Sequence, residues 1–273
     1  MEWIKALCLA VVQGLTEFIP ISSSGHLAIL QNAFQFREPP IAFDLVLHIG
    51  TLVAVVLFYR RELSDMLRAA GQPESWSHPN APSDSAGKML SLIIIASVPT
   101  AVIGFVLESR VESAFSDMRS VAIEFILGGM IMSATLLRRR QSRSLSDMRV
   151  SDALVIGTLQ GISVFPAISR SGSTISAALL LGIRPELAGR FSFLLSIPAI
   201  LGACLLESKK IVVELQSGDG LALYLVSGAV AGLVGYLSIR PLIRILQSAR
   251  FHYFAYYCYA LGAGLLAYTI VSP

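Results

Sequence analysis

Residues 13–25 read QGLTEFIPISSSG and residues 160–172 read QGISVFPAISRSG, the same phrase at an offset of 147. Identities fall at Gln13/Gln160, Gly14/Gly161, Phe18/Phe165, Ile21/Ile168, Ser22/Ser169, Ser24/Ser171 and Gly25/Gly172. A slip of one residue then brings FDLVLHIG (Phe43–Gly50) onto FSFLLSIP (Phe191–Pro198). A chain that repeats itself at half-length is built from two copies of one unit. The copies differ where chemistry would sit: Glu17 stands opposite Val164, Ser23 opposite Arg170, and His26 opposite Ser173. Acid and imidazole belong to one copy and the guanidinium to the other, which points to one composite site between them.

Composition sets the class. Hydrophobic residues make up 54% of the chain and charged residues 14%, against roughly 25% charged in a soluble domain. The mean hydropathy of +0.68 agrees, so we read a polytopic membrane protein of the all-α class. The net charge of +3 is small, and no nucleic-acid partner is expected. Cys8, Cys204 and Cys258 lie in apolar runs without metal spacing and read as small hydrophobes. The opening MEWIKALCLAVVQ lacks a small-residue cleavage site, so no removed signal peptide is expected.

Six runs reach, or with their flanks can reach, the about 17–25 residues of a bilayer span: Ile41–Tyr59, Met89–Leu107, Val121–Leu137, Phe191–Leu206, Leu221–Ile239 and Phe254–Val271. The repeat segments differ from these. Trp3–Ile19 and Ala153–Phe165 break at Pro20 and Pro166 into Ser/Gly-rich turns, followed by the short runs Leu27–Phe36 and Ile175–Ile183. Non-helical backbone at membrane depth persists only where protein or a water-filled cavity satisfies it. Two re-entrant helix–turn–helix hairpins fit that pattern.

Lys and Arg set the orientation. Fourteen of them flank one set of loops (Arg60, Arg61, Arg68, Lys88, the Arg138–Arg149 group, Arg184, Arg190, Arg240, Arg244, Arg250) and six flank the other. The first set is expected in the cytoplasm and both chain ends outside. Each half then has one hairpin and three spans, so the copies, about 1–140 and 150–273, are expected upside down to each other within a single membrane domain. The 71–87 loop, rich in Pro, Ser and Gly, is expected to be cytoplasmic and mobile, with His78 solvated.

Polar side chains inside a membrane are costly and are functional candidates. Gln13 and Glu17 share one helix face at a spacing of four. Ser22, Ser23, Ser24 and Gly25 sit where the next helix starts, with His26 one turn on. Ser169, Arg170, Ser171, Gly172, Ser173 and Thr174 hold the matching place in the second copy. Two helix N-termini with free N–H groups, joined by a guanidinium, suit phosphate oxygens. Serines in membrane helices also serve close packing, and inverted hairpins meeting at the midplane occur in secondary transporters. The convergence of Glu17, His26 and Arg170 on both turns favours an anion-handling site over packing alone.

These residues resemble a known family. QGLTEFIPISSSGH matches the (E/Q)xxxE motif and the Ser-Ser-x-Gly-His of the bacterial undecaprenyl-diphosphate phosphatases, the bacitracin-resistance family, and Pro166–Thr174 matches its PGxSRSxxT motif. Ala167 replaces the usual Gly, which puts close backbone approach at that turn in question. The resemblance implies hydrolysis of undecaprenyl diphosphate to the monophosphate carrier lipid in the bacterial cytoplasmic membrane, with the site open to the periplasmic side. It also implies recycling of that carrier for cell-wall synthesis, bacitracin resistance and a divalent cation, Mg or Ca, riding on the diphosphate with Glu17 as a ligand or nearby anchor. Expected partners are the polyprenyl lipid, the bilayer and a second copy in a homodimer.

For chemistry, Ser23 is the expected nucleophile and His26 its base or the acid for the leaving group, with Glu17 orienting His26 or holding the cation. Arg170 would stabilise transition-state charge. Gln13, Ser22, Ser24, Gly25, Ser169, Ser171, Gly172, Ser173 and Thr174 would bind substrate. Water or His26 as nucleophile, and a flippase or transporter of an anionic lipid, stay open at this point.

Overall fold

The computed structural model describes residues 2–36, 40–71, 86–115, 117–137, 140–207, 220–248 and 250–271. The 72–85 part of the predicted loop, His78 included, lies outside them. Among the described residues the chain forms eleven α-helices and no strand. They are α1 (Glu2–Thr16), α2 (Ser23–Phe34), α3 (Pro40–Phe58), α4 (Arg60–Ala70), α5 (Ala86–Phe115), α6 (Met118–Ser133), α7 (Val150–Ile162), α8 (Arg170–Leu180), α9 (Pro185–Leu206), α10 (Leu221–Gln247) and α11 (Tyr253–Val271).

Five of these, α5, α6, α9, α10 and α11, are long and apolar enough to cross a membrane, and the pair α3–α4 brings the number to six. That pair bends by 78°, a break the sequence reading placed as a simple span end at Tyr59. The helix beyond it, α4, carries Arg60, Arg61 and Arg68 on its exposed side and buries Met66. Three of the long helices outrun the expected spans: α5 continues past Leu107 to Phe115, and the other two involve prolines. Pro185 starts α9 six residues before Phe191, since a proline at the first helical position lacks only an N–H that would go unpaired anyway. The α10 helix runs through Pro241 to Gln247.

Apolar residues face outward as well as inward. Ile94, Val98, Val102 and Phe105, spaced along one stripe of α5, are all more than half exposed. In water such a stripe would be a liability, whereas in lipid it is the expected exterior. Helices approach through small residues, as is usual where lipid removes the hydrophobic drive for association. A Cβ on Gly50 of α3 would overlap the backbone of Gly228 of α10, and one on Gly157 of α7 would overlap Ala96 of α5. These contacts pair α3 with α10 and α5 with α7, so that a long helix holds the first helix of the second hairpin, as α10 also holds α1.

The hairpins form as the sequence predicts. In both, the first helix stops before the proline-containing turn and the second starts at a serine cap. Ser22 Oγ accepts the Gly25 N–H at 3.2 Å, and Ser169 Oγ accepts the Gly172 N–H at 3.0 Å. Serines 147 residues apart thus make the same bond to equivalent glycines, satisfying first-turn donors that would otherwise lack a partner. Arg143 ties both ends of the second hairpin together. Its guanidinium binds Asp152 in the first turn of α7 at 2.6 and 3.1 Å and the Leu181 carbonyl after α8 at 2.9 Å. The two ends of α7–α8 therefore lie on one side, which is the geometry of a re-entrant segment.

Candidate active site

The two turns meet. Ser22 Oγ donates to the carbonyl oxygen of Pro166 at 2.5 Å, and Gly25 lies so close to Phe125 and Ala167 that a side chain there would force them to move. Ser22 holds φ 66° and ψ 103°, a sparsely populated conformation for a non-glycine residue. Bonds from its hydroxyl to both turns keep it there. Ala167 has no left-handed backbone, so the alanine in place of glycine costs nothing in conformation. Its N–H donates to Glu124 Oε2 of α6 at 2.8 Å.

Glu17 sits at the centre of this junction, one residue past α1 and nearly sealed from solvent. Its Oε2 accepts from Gln13 Nε2 at 2.9 Å and from Ser23 Oγ at 2.7 Å. Its Oε1 accepts from Arg170 Nη2, which crosses from the second hairpin. The composite site read from the repeat is thus assembled: acid and hydroxyl from one copy, guanidinium from the other. Ser23 and Arg170 each open a helix, α2 and α8. A helix N-terminus leaves first-turn N–H groups that favour an anion. Arg170 has further N–H groups beside the one given to Glu17.

Several expected contacts take a different form. His26 does not meet Ser23 or Glu17. Its Nδ1 faces the Ser22 carbonyl at 2.6 Å, and since a carbonyl only accepts, Nδ1 carries hydrogen. In the neutral ring Nε2 then accepts from the Tyr257 hydroxyl of α11, also at 2.6 Å. The rings of His26 and Tyr257 stack with centroids 5.7 Å apart, and Phe125 packs edge-on against His26. The Ser23 hydroxyl donates to Glu17 and not to His26. Thr174 gives its hydroxyl to the Arg170 carbonyl at 2.9 Å and shares it with Ser192 at 2.6 Å, so it braces Arg170 from behind. Ser169 and Ser171 lie 3.3 Å apart at the start of α8, Ser173 is buried one turn on, and Ser24 is half-buried at the start of α2.

The sequence reading passed over three groups that the site uses or touches. His48 of α3 puts Nε2 3.5 Å from Glu17 Oε2. Glu124 holds the second turn, and Tyr257 engages His26. For the first two the signal was present, because each is an ionisable residue inside a predicted span.

A divalent ion of the Mg or Ca kind needs several oxygen ligands. Gln13, Ser23, Arg170 and His48 already share the Glu17 carboxylate, and among the described residues no group of three or more His, Cys, Asp or Glu could hold a metal. The donor set does not fit a resident cation.

The family model described as Bacitracin resistance protein BacA matches residues 6–264. The chain belongs to this family. Among its relatives, an "Undecaprenyl-diphosphatase" of Desulfosudis oleivorans is 42% identical over 96% of this chain and 97% of its own length. Relatives of the same name from Carboxydothermus hydrogenoformans and Treponema denticola are 38% and 39% identical, covering 97% and 98% of both chains in each pair. In this BacA family member the two motifs that carry the sequence resemblance are the two hairpin turns that meet at Glu17 and Arg170.

Proposed function

We propose that this chain hydrolyses undecaprenyl diphosphate to undecaprenyl phosphate and inorganic phosphate, returning the carrier lipid to cell-wall synthesis and giving bacitracin resistance. The observation that carries this reading is the hydrogen bond from Ser23 Oγ to Glu17, with Arg170 on the other oxygen of the same carboxylate. A hydroxyl, its proton acceptor and a phosphate-binding guanidinium are what phosphoryl transfer needs and what transport does not.

The terminal phosphate enters between the N-termini of α2 and α8 and binds Arg170 together with the N–H groups around Ser23, Ser24 and Ser171. Ser23 Oγ attacks the terminal phosphorus and gives its proton to Glu17. The new O–P bond forms as the bridging O–P bond breaks, and undecaprenyl phosphate leaves with the bridging oxygen. That oxygen leaves as a phosphate anion and needs no proton, while His26 Nε2 stays held by the Tyr257 hydroxyl. Water then cleaves the phosphoserine, releasing inorganic phosphate, and Glu17 returns the proton to Ser23. Mg or Ca carried by the diphosphate would neutralise part of its charge beside Glu17.

The setting belongs to the same proposal: one membrane domain of two inverted copies in the bacterial inner membrane, opening to the periplasmic side. Support comes from the Lys/Arg distribution and from the re-entrant shape of the second hairpin. A homodimer is tested by the mass of the purified particle. The decisive assay for the function is release of inorganic phosphate from C55 diphosphate by the purified protein in detergent. Binding of the lipid without release would move the reading to a carrier or transporter.

A further inference from the structure

Within FDLVLHIG the first copy carries Asp44 and His48, where FSFLLSIP in the second copy carries Ser192 and Ser196. Ser192 bonds the second hairpin and Ser196 only its own helix. Ser192 shares a hydrogen bond with Thr174, Ser196 donates to the Phe193 carbonyl at 2.7 Å, and both are 2% exposed. Their counterparts face the reacting groups. Gln31 Nε2 of α2 donates to Asp44 Oδ1 at 2.6 Å. His48 Nδ1 faces the Asp44 carbonyl at 2.7 Å, and His48 Nε2 lies 3.5 Å from Glu17 Oε2. A polar column thus runs from α2 through α3 to the carboxylate, in one copy only.

The ring orientation is set from one end. The Asp44 carbonyl accepts and cannot donate, so Nδ1 of His48 carries hydrogen, and Nε2, the atom presented to Glu17, donates to the carboxylate in the imidazolium form, where both ring nitrogens carry hydrogen. The same Oε2 takes the Ser23 proton, so its position decides whether that hydroxyl is aimed at phosphorus. Gln13 holds Oε2 from one side and Arg170 holds Oε1. With His48 removed, the carboxylate could rotate away from Ser23.

We propose that His48 is a positioning residue for the phosphatase reaction: its Nε2 holds the Glu17 carboxylate in register with Ser23, and Asp44 holds the ring. This rests on the hydrolase reading above, and the test separates the two. In a side chain, the amide nitrogen of Gln reaches the place of imidazole Nε2, and that of Asn the place of Nδ1. His48→Gln keeps the donor toward Glu17, and His48→Asn keeps only the donor toward Asp44.

Phosphate release from C55 diphosphate is measured for wild type, His48→Gln and His48→Asn, per mole of monodisperse protein, with melting temperatures recorded. If wild type releases no phosphate, the hydrolase reading fails before His48 is tested. Given wild-type turnover, His48→Asn should lose on the order of tenfold to a hundredfold in kcat, with KM little changed, because a small misplacement near the chemistry acts on the transition state. His48→Gln should stay within about threefold of wild type, a difference well under 1 kcal/mol in the barrier. Equal activity in the two variants, or a better rate for Asn than for Gln, overturns the proposal. If His48→Asn does not survive extraction, His48→Ala takes its place in the same comparison.

Discussion

Ser22 and Pro166, 144 residues apart in the chain, are joined by a hydrogen bond from the Ser22 hydroxyl to the Pro166 carbonyl. The bond locks the two hairpin turns against each other and so fixes the distance between Glu17 and Arg170. Ser22 therefore acts on the site through the turns, and its backbone is held in a strained conformation to do so. Ser22→Ala leaves the Pro166 carbonyl and the Gly25 N–H without this partner. We expect a loss of about 1–3 kcal/mol in stability, seen as a lower melting temperature in detergent, with a milder loss of turnover than Ser23→Ala.

Arg170→Lys keeps a positive charge between the hairpins but replaces a planar fork of donors by a point charge. If the guanidinium binds phosphate oxygens while charge develops on them, the Lys variant should lose about 3 kcal/mol of transition-state stabilisation, on the order of a hundredfold in rate. Near-normal phosphate release by Arg170→Lys would remove Arg170 from the catalytic groups.

Glu17→Gln preserves shape and removes both the ion pair with Arg170 and the acceptor for the Ser23 proton. Turnover should fall by roughly 10²–10⁴-fold, the usual range for a positioned base. The companion measurement is phosphate binding by the variant. Arg170 freed from its carboxylate should still bind the anion, so loss of both binding and turnover would mark Glu17 as structural.

Gly50→Leu tests the packing. A side chain there meets the backbone of Gly228 across the α3–α10 contact, and neither backbone can move aside as a flexible side chain would. Overpacking of this kind costs about 1–3 kcal/mol or more. The variant should melt earlier or fail to yield monodisperse protein, while Gly264→Leu, at a site with open space around it, should not.

Orientation is tested by single-cysteine labelling in a background free of Cys8, Cys204 and Cys258. An impermeant reagent added to intact cells should label Glu112→Cys and spare His78→Cys. Equal labelling of both would contradict the inverted arrangement of the two copies.

Much of this was legible in the chain because repetition is visible in one dimension. The Gln13–Gly25 and Gln160–Gly172 phrases announced the hairpins, their serine caps and the meeting of Glu17 with Arg170. Partner choice within the site was not legible. His26 lies three residues from Ser23, close enough in sequence to suggest a pair. Helix geometry instead turns its Nδ1 back to the Ser22 carbonyl and its Nε2 out to Tyr257, a residue 231 positions away. His48 was visible as an ionisable residue within a predicted span, but its partner was not. It sits inside an apolar run that reads as a plain span, and only the packing of α3 beside the end of α1 shows what it faces. The bend at Tyr59 escaped because the apolar run ends there, while the spacing of Leu63, Met66, Leu67 and Ala70, which marks α4 as a further helix, follows a cluster of charge.

In the proposed reaction Ser23 attacks the phosphate with Glu17 as its proton acceptor. The most direct measurement compares wild type and Ser23→Ala for phosphate release and for binding of C55 diphosphate in the same detergent preparation. Wild type should release phosphate steadily and Ser23→Ala none, with lipid binding intact, because the hydroxyl acts in the transition state. Substantial phosphate release by Ser23→Ala would contradict that reaction and pass the role of nucleophile to water or His26.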